Sequence, residues 1–270
     1  MKNKAKLLAA PYLVWMVIFI VVPLGVVVYF AFTGDDGKFT LSNLGEITTY
    51  LPTFFDSLSL AALSAFICLL IGYPTAYVIS KAPANRQRFL IMLIMLPMCM
   101  SFLLRTLALV AMLEDQGIIN NFLYAIGFSR VSLIRRPAAV ILGMVYNYLP
   151  YMIMPLHSVL VKMDNKVIEA SQDLGCNGFK VFSKVILPMS VPGIISGVTM
   201  VFVPAVSTFY ISKKLGGTST AMIGDIIESQ FKTSYNLNVG AAMSLVLMVI
   251  VLICMGVMNR FTGDGEVDLL

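Results

Sequence analysis

Six apolar runs leave this chain few ways to fold. They occupy about residues 7–32, 57–80, 89–112, 138–160, 191–212 and 239–258. Each reaches the roughly 20 apolar residues that an α-helix needs to cross a bilayer. Of the 270 residues, 59% are hydrophobic and 12% charged, where a soluble domain is about a quarter charged. A soluble core of this size cannot hide so much apolar surface, so the bilayer is the solvent for most of the chain. Helices are the expected spanning form, because each satisfies its own backbone hydrogen bonds without water. Barrel strands would show short segments of alternating polarity, which the sequence lacks. The expected architecture is an all-α integral membrane protein with six crossings, one domain over residues 1–270.

The first run follows Lys2, Lys4 and Lys6, as the apolar core of a signal peptide does, but it is too long and ends in Ala31-Phe32-Thr33-Gly34-Asp35 without a small-residue cleavage site. It is expected to remain as a membrane helix. Lys2, Lys4, Lys6 and then Lys81, Arg86 and Arg88 flank the first two spans on one side, against Lys38 alone on the other. The excess of Lys and Arg marks the cytoplasmic side. With six spans, both termini and the segment 162–190 are expected there. The net charge of +5 has the same origin and gives no reason to invoke nucleic acid.

The segment 162–190 is polar, helix-forming and set between two apolar runs. Asp164 is placed to cap a helix over 166–174, Gly175 to end it, and Asn177-Gly178 to turn the chain. A second helix over 179–187 is expected to stop at Pro188. Val167, Ile168, Ala170 and Leu174 give the first helix an apolar side for a partner groove; a loop tucked against the headgroups is the alternative. Cys68, Cys99, Cys176 and Cys254 have neither CxxC nor metal-ligand spacing, so no disulfide and no metal site is expected. The single His157 reads as a packing residue, and no catalytic constellation is present.

Glu169-Ala170-Ser171, three residues, Gly175, nine residues and Val185-Ile186-Leu187-Pro188 closely resemble the EAA loop of binding-protein-dependent ABC importer permeases. Ser171 and Val185 replace an Ala and an Ile without altering the spacing. Residues 102–127, 143–175 and 187–231 extend the resemblance over nearly the whole chain, toward the spermidine/putrescine permeases, first membrane subunit. The resemblance implies a subunit of a bacterial cytoplasmic-membrane importer for polyamines. It implies ATPase coupling through Glu169, Ala170, Gly175, Leu187 and Pro188. The implied partners are a homologous second permease, an ATPase dimer, an extracytoplasmic substrate-binding protein and membrane lipid. The chain has no GxxxxGK[ST] loop, so ATP and Mg belong to the ATPase partner and this chain is expected to hold no cofactor and to be no enzyme. Permeases for iron, thiamine or phosphonate share much of this pattern and remain alternatives. An ATP-independent carrier or channel has no use for an EAA loop, and no inverted repeat supports one.

A polycationic substrate calls for carboxylates and aromatic faces. Glu114, Asp115, Asp225 and Glu228 are the candidate acids on the outer side, with Glu114 and Asp225 foremost; solvated loop positions are the alternative. Tyr146, Tyr148 and Tyr210 are candidate walls of the pathway, though an interfacial aromatic belt accounts for them equally. Arg105 lies within the third run, where a bare charge is costly. It is expected to clamp an outer carboxylate. Pro192, Gly193, Gly197 and Pro204 are expected to break or thin the fifth helix beside the pathway, or to serve close packing.

Overall fold

The computed structural model describes residues 11–34 and 36–260. The start of the first apolar run at 7–10, with the three N-terminal lysines, and the polar tail after Arg260 lie outside them. The described residues are almost wholly helical; the one bridge between extended residues pairs Thr33 with Phe39.

Among the described residues, five helices are long and apolar enough to cross a membrane. They are α1 (Pro11–Ala31), α2 (Ser42–Ser80), α6 (Pro137–Val161), α8 (Gly178–Val206) and α10 (Leu237–Met258, continuing to Arg260). A candidate sixth crossing is bent: α3 (Ala84–Cys99) meets α4 (Phe102–Leu113) and α5 (Ile118–Ala125) at 89°. Two short amphipathic helices, α7 (Asn165–Asp173) and α9 (Ile223–Lys232), complete the chain.

Boundaries depart from those expected in the second, third and fifth runs, and the fifth ends at Val206 rather than at 212. The second crossing begins well before residue 57, because Ser42–Tyr50 is already helical, partly as a tighter 3₁₀ turn, and joins α2. The third run is not one straight helix over 89–112. Pro97 sits in a 3₁₀ turn, Leu96–Cys99, and Met100 is extended (φ −86°, ψ 149°). A proline offers no N–H to the preceding turn and its ring crowds the carbonyl four residues back, so the helix is interrupted there. The fifth crossing begins at Gly178, because Pro188 does not stop it. The five residues Phe182–Ile186 form a π-helical bulge, and Pro188 follows at the start of the next α-helical stretch, where its missing N–H costs least. Pro192 and Pro204 are likewise carried inside Leu187–Val206.

The chain separates into two compact units. One is the chain up to Phe54 with Ile226–Leu252. In it, buried Asn43 donates from Nδ2 to the carbonyls of Ala31 (3.2 Å) and Thr33 (3.0 Å), satisfying acceptors that the end of α1 leaves open. The other is Phe55–Asp225 with the chain from Ile253 onward. Its centre is the pairing of α6 with α8. Met144, Met152, Leu156, Val201 and Val206 are fully buried there. Gly197 lets the two backbones approach: a Cβ at this position would lie 2.7 Å from Met152 Sδ and 3.2 Å from the Met152 carbonyl oxygen. In a bilayer, where burying apolar surface against lipid gains little, such close van der Waals packing at small residues holds helices together.

Candidate functional site

The polar segment between α6 and α8 is a capped corner. Asp164 takes the extended conformation of an N-cap (φ −69°, ψ 122°), and its Oδ1 accepts from Lys166 N–H at 2.9 Å. At the other end of α7, Gly175 has φ +80°, Gly175 N–H reaches the Gln172 carbonyl at 2.8 Å, and Cys176 N–H reaches that of Ser171 at 3.1 Å. This pair of bonds is a Schellman motif, which needs a left-handed residue where Gly175 stands. Asn177 then caps α8, its Oδ1 accepting from Lys180 N–H at 2.9 Å. Lys81, at the end of α2, donates from Nζ to Asn165 Oδ1 at 2.7 Å and ties the corner to the membrane helices.

Glu169 and Ala170 are exposed on α7, Gly175 is exposed at the corner, and Leu187 and Pro188 are exposed in α8. Leu174 (86% exposed), Phe179 (77%) and Val167 (42%) form an apolar edge beside them. Ser171 is the inward residue, 9% exposed, with its hydroxyl on the Ile168 carbonyl. Gly175→Val forces a β-branched side chain into a left-handed conformation, at a cost of about 1–2 kcal/mol. Hydrogen exchange across 165–180 is expected to speed up in that variant while the membrane helices keep their protection.

The candidate pathway residues separate. Tyr210 and Tyr148 join a cluster around Phe102, with centroids 6.3 and 6.5 Å from that ring, and Tyr151 lies 6.4 Å from Tyr148. The Tyr148 hydroxyl, on α6, donates to the Pro204 carbonyl on α8 at 3.4 Å. Tyr146, 44% exposed, makes none of these ring contacts. Glu114 and Asp115 are exposed after α4. Asp225 stands in the first turn of α9 and accepts from Met222 N–H at 2.8 Å, the acidic half of a capping box. Ser57 Oγ, on α2, accepts from the next amide, Ile223 N–H, at 2.8 Å. Glu228 pairs with Lys232 at 2.9 Å, one turn on. Asp225 and Glu228 therefore both serve the local geometry of α9.

Arg105 is buried within α4. It is 5% exposed, and its Nε and Nη1 meet no acceptor among the described residues. Among the described residues no carboxylate is in contact with it, where a clamp to an outer carboxylate was expected. Asn147 on α6 has a similarly buried, unmatched Oδ1, while its Nδ2 bonds the Gly143 carbonyl. Phe102 and Tyr151 were not singled out from sequence. Their signal was the Leu96-Pro97-Met98-Cys99-Met100-Ser101 stretch, whose proline turns α4 so that Phe102, at its start, meets the rings of α6.

A model of the binding-protein-dependent transport system inner membrane component family matches residues 5–262. The chain belongs to this family. As a family member it is a multi-pass protein of the cytoplasmic membrane. It is 35% identical over 256 residues to the spermidine/putrescine transport system permease protein PotB of Haemophilus influenzae, covering 91% of this chain and 90% of that one. It is 34% identical over 246 residues to PotB of Escherichia coli K12, covering 87% and 90%. The fold is that of a solved bacterial ABC transporter for alginate import (TM-score 0.77, 16% identity, 96% of both chains). It is also similar to the MetNI methionine ABC transporter in an inward-facing form (TM-score 0.59, 18% identity, 81% of this chain and 96% of that one).

Proposed function

We propose that this family member is one of two membrane subunits of an ATP-driven importer of spermidine and putrescine. The observation that carries the substrate class is the 33–35% identity to several PotB permeases over 87–91% of the chain. The capped corner 164–190 is the element that receives the ATPase: it presents Glu169, Ala170, Gly175, Leu187 and Pro188 beside an apolar edge, and nothing among the described residues covers them. In this reading the corner and both termini are cytoplasmic, in line with the basic flanks of the first two spans. A second permease completes the pathway, two ATPase subunits bind ATP and Mg, and an outer binding protein delivers the substrate.

The mechanism follows from the chain's own rigidity. Closure of the ATPase pushes on α7. The Schellman corner at Gly175 and the cap at Asn177 pass that displacement into α8, which runs without a break into the membrane and packs against α6. The Tyr148, Tyr151, Tyr210 and Phe102 rings sit where α4, α6 and the end of α8 come together. A shift of α8 moves them and the aromatic faces they offer an ammonium group, each contact contributing roughly 0.5–2 kcal/mol.

The test uses the full complex purified with its co-encoded partners. ATP hydrolysis is measured with the binding protein loaded with putrescine, spermidine, a ferric ligand or a phosphonate. Stimulation by the polyamines and not by the others is expected; stimulation by the ferric or phosphonate ligand alone would overturn the substrate while leaving the importer reading intact.

A further inference from the structure

A groove of about 380 Å³ runs along the membrane end that carries the corner, lined by Phe66, Leu70, Tyr73, Tyr77, Phe182 and Leu187 among others. Phe66 (60% exposed) and Leu70 (65%) open it to the bilayer. Its wall is held rather than pliable: Tyr73 and Phe182 meet edge to face at 5.6 Å, and the Tyr73 hydroxyl bonds the buried Ser190 hydroxyl at 2.8 Å. The groove thus joins α2 to the π-helical bulge of α8.

One end of the groove is positively charged. Lys81 Nζ lies 5.9 Å from the centroid of Tyr77, a groove residue. An ammonium has three N–H donors, and Lys81 spends one on Asn165. Gln87 donates from Nε2 to the carbonyls of Ser80 (3.0 Å) and Ala82 (2.8 Å), which folds the connector bearing Arg86 and Arg88 back onto the end of α2. Lys184 is exposed in the same bulge, two residues after Phe182 in sequence.

We propose that this groove is a binding site for an anionic phospholipid, one acyl chain lying along Phe66, Leu70 and Leu187 and the phosphate meeting Lys81 and Lys184. An acyl chain suits a surface that is apolar and faces hydrocarbon. A phosphate suits exposed cations whose donors are only partly used within the chain. The lipid then bridges α2, α7 through Asn165, and α8, the three helices that meet at the corner. The site goes beyond the transport reading and its test does not depend on it, because lipid retention is read without substrate or ATP.

The full chain, purified in the complex it forms in its own membrane, is placed in nanodiscs of phosphatidylglycerol or of phosphatidylcholine with identical acyl chains. Lipid retained per complex is counted by native mass spectrometry. Phosphatidylglycerol is expected to be retained preferentially, and the Lys81→Gln, Lys184→Gln double variant to lower that retention on the order of tenfold. Because Lys81→Gln also removes the Asn165 bond, Leu70→Trp provides a second arm: it fills the groove, leaves both cations in place, and is expected to lower retention too. Lys232→Gln, far along the chain on α9, is expected to change nothing. Equal retention of the two lipids would overturn the proposal. So would unchanged retention in Leu70→Trp, an equal loss in Lys232→Gln, or disulfide capture of another polypeptide by Leu70→Cys.

Discussion

Glu169→Lys abolishes uptake while the complex still inserts and assembles: this is the largest functional effect expected of a single substitution in this chain. Glu169 is exposed on α7 and its side chain makes no hydrogen bond or ion pair among the described residues, so its replacement removes nothing that holds the fold. Lysine is as good a helix former as glutamate, so α7 itself survives. What changes is the sign of a charge on the face proposed to receive the ATPase. A charge reversal at a desolvated contact costs several kcal/mol, and each 1.4 kcal/mol is tenfold in an equilibrium constant. Uptake into proteoliposomes is therefore expected to fall by at least about a hundredfold, with ATP hydrolysis no longer responding to substrate. Wild-type uptake in this variant would remove α7 as the receiving element.

The largest effect on stability is expected from Gly197→Leu. The first carbon added lies 2.7 Å from Met152 Sδ and 3.2 Å from the Met152 carbonyl oxygen. The sulfur can move; the backbone of α6 cannot without separating the helices. Overpacking of this kind costs typically about 1–3 kcal/mol, and here it falls on the most extensive helix pairing of the second unit. The outcome is a lowered thermal midpoint for the purified complex and a smaller yield of folded chain in the membrane. Gly197→Ala is the gentler variant: it places the same Cβ but no further atoms, so it separates displacement of the Met152 side chain from displacement of α6. A Leu variant as stable as wild type would mean that α6 and α8 do not pack through Gly197.

Much of the corner was legible before any coordinates. Asp164, Gly175 and Asn177 carry local signals, because capping and left-handed turns are decided within five residues. Their hydrogen bonds are where the sequence places them. The apolar runs were equally plain, because hydrocarbon demands the same composition of every crossing. Proline was the misleading signal. Pro188 reads as a stop, yet the π-helical bulge before it lets α8 run through. Pro97 draws no attention inside an apolar run, yet the chain bends by 89° there. Local sequence names the residue that cannot donate a hydrogen bond, but the surrounding packing decides whether the helix bulges, bends or ends.

The candidate pathway was the least legible part. Asp225 is a polar residue in a half-apolar segment, which fits a ligand contact and a helix cap alike. Its 2.8 Å bond from Met222 N–H appears only once α9 is formed. Arg105 invites a carboxylate, yet its buried Nε and Nη1 find none in contact. Pairing between distant side chains depends on which faces of α4 and α6 meet, and helical periodicity within one segment does not encode that.

By itself, then, the sequence determined an all-helical membrane chain and a capped polar corner bearing Glu169 and Gly175, since hydrophobic length and local capping are properties of contiguous residues. Only the tertiary structure decided that the corner continues into α8 as one helix. It also decided that Phe102, Tyr148 and Tyr210 share a cluster, and that Lys81 closes one end of an apolar groove. The last two join residues far apart in the chain, and such contacts are fixed by helix packing rather than by local conformational preference; in the first, the packing around Pro188 decided that the helix bulges instead of ending.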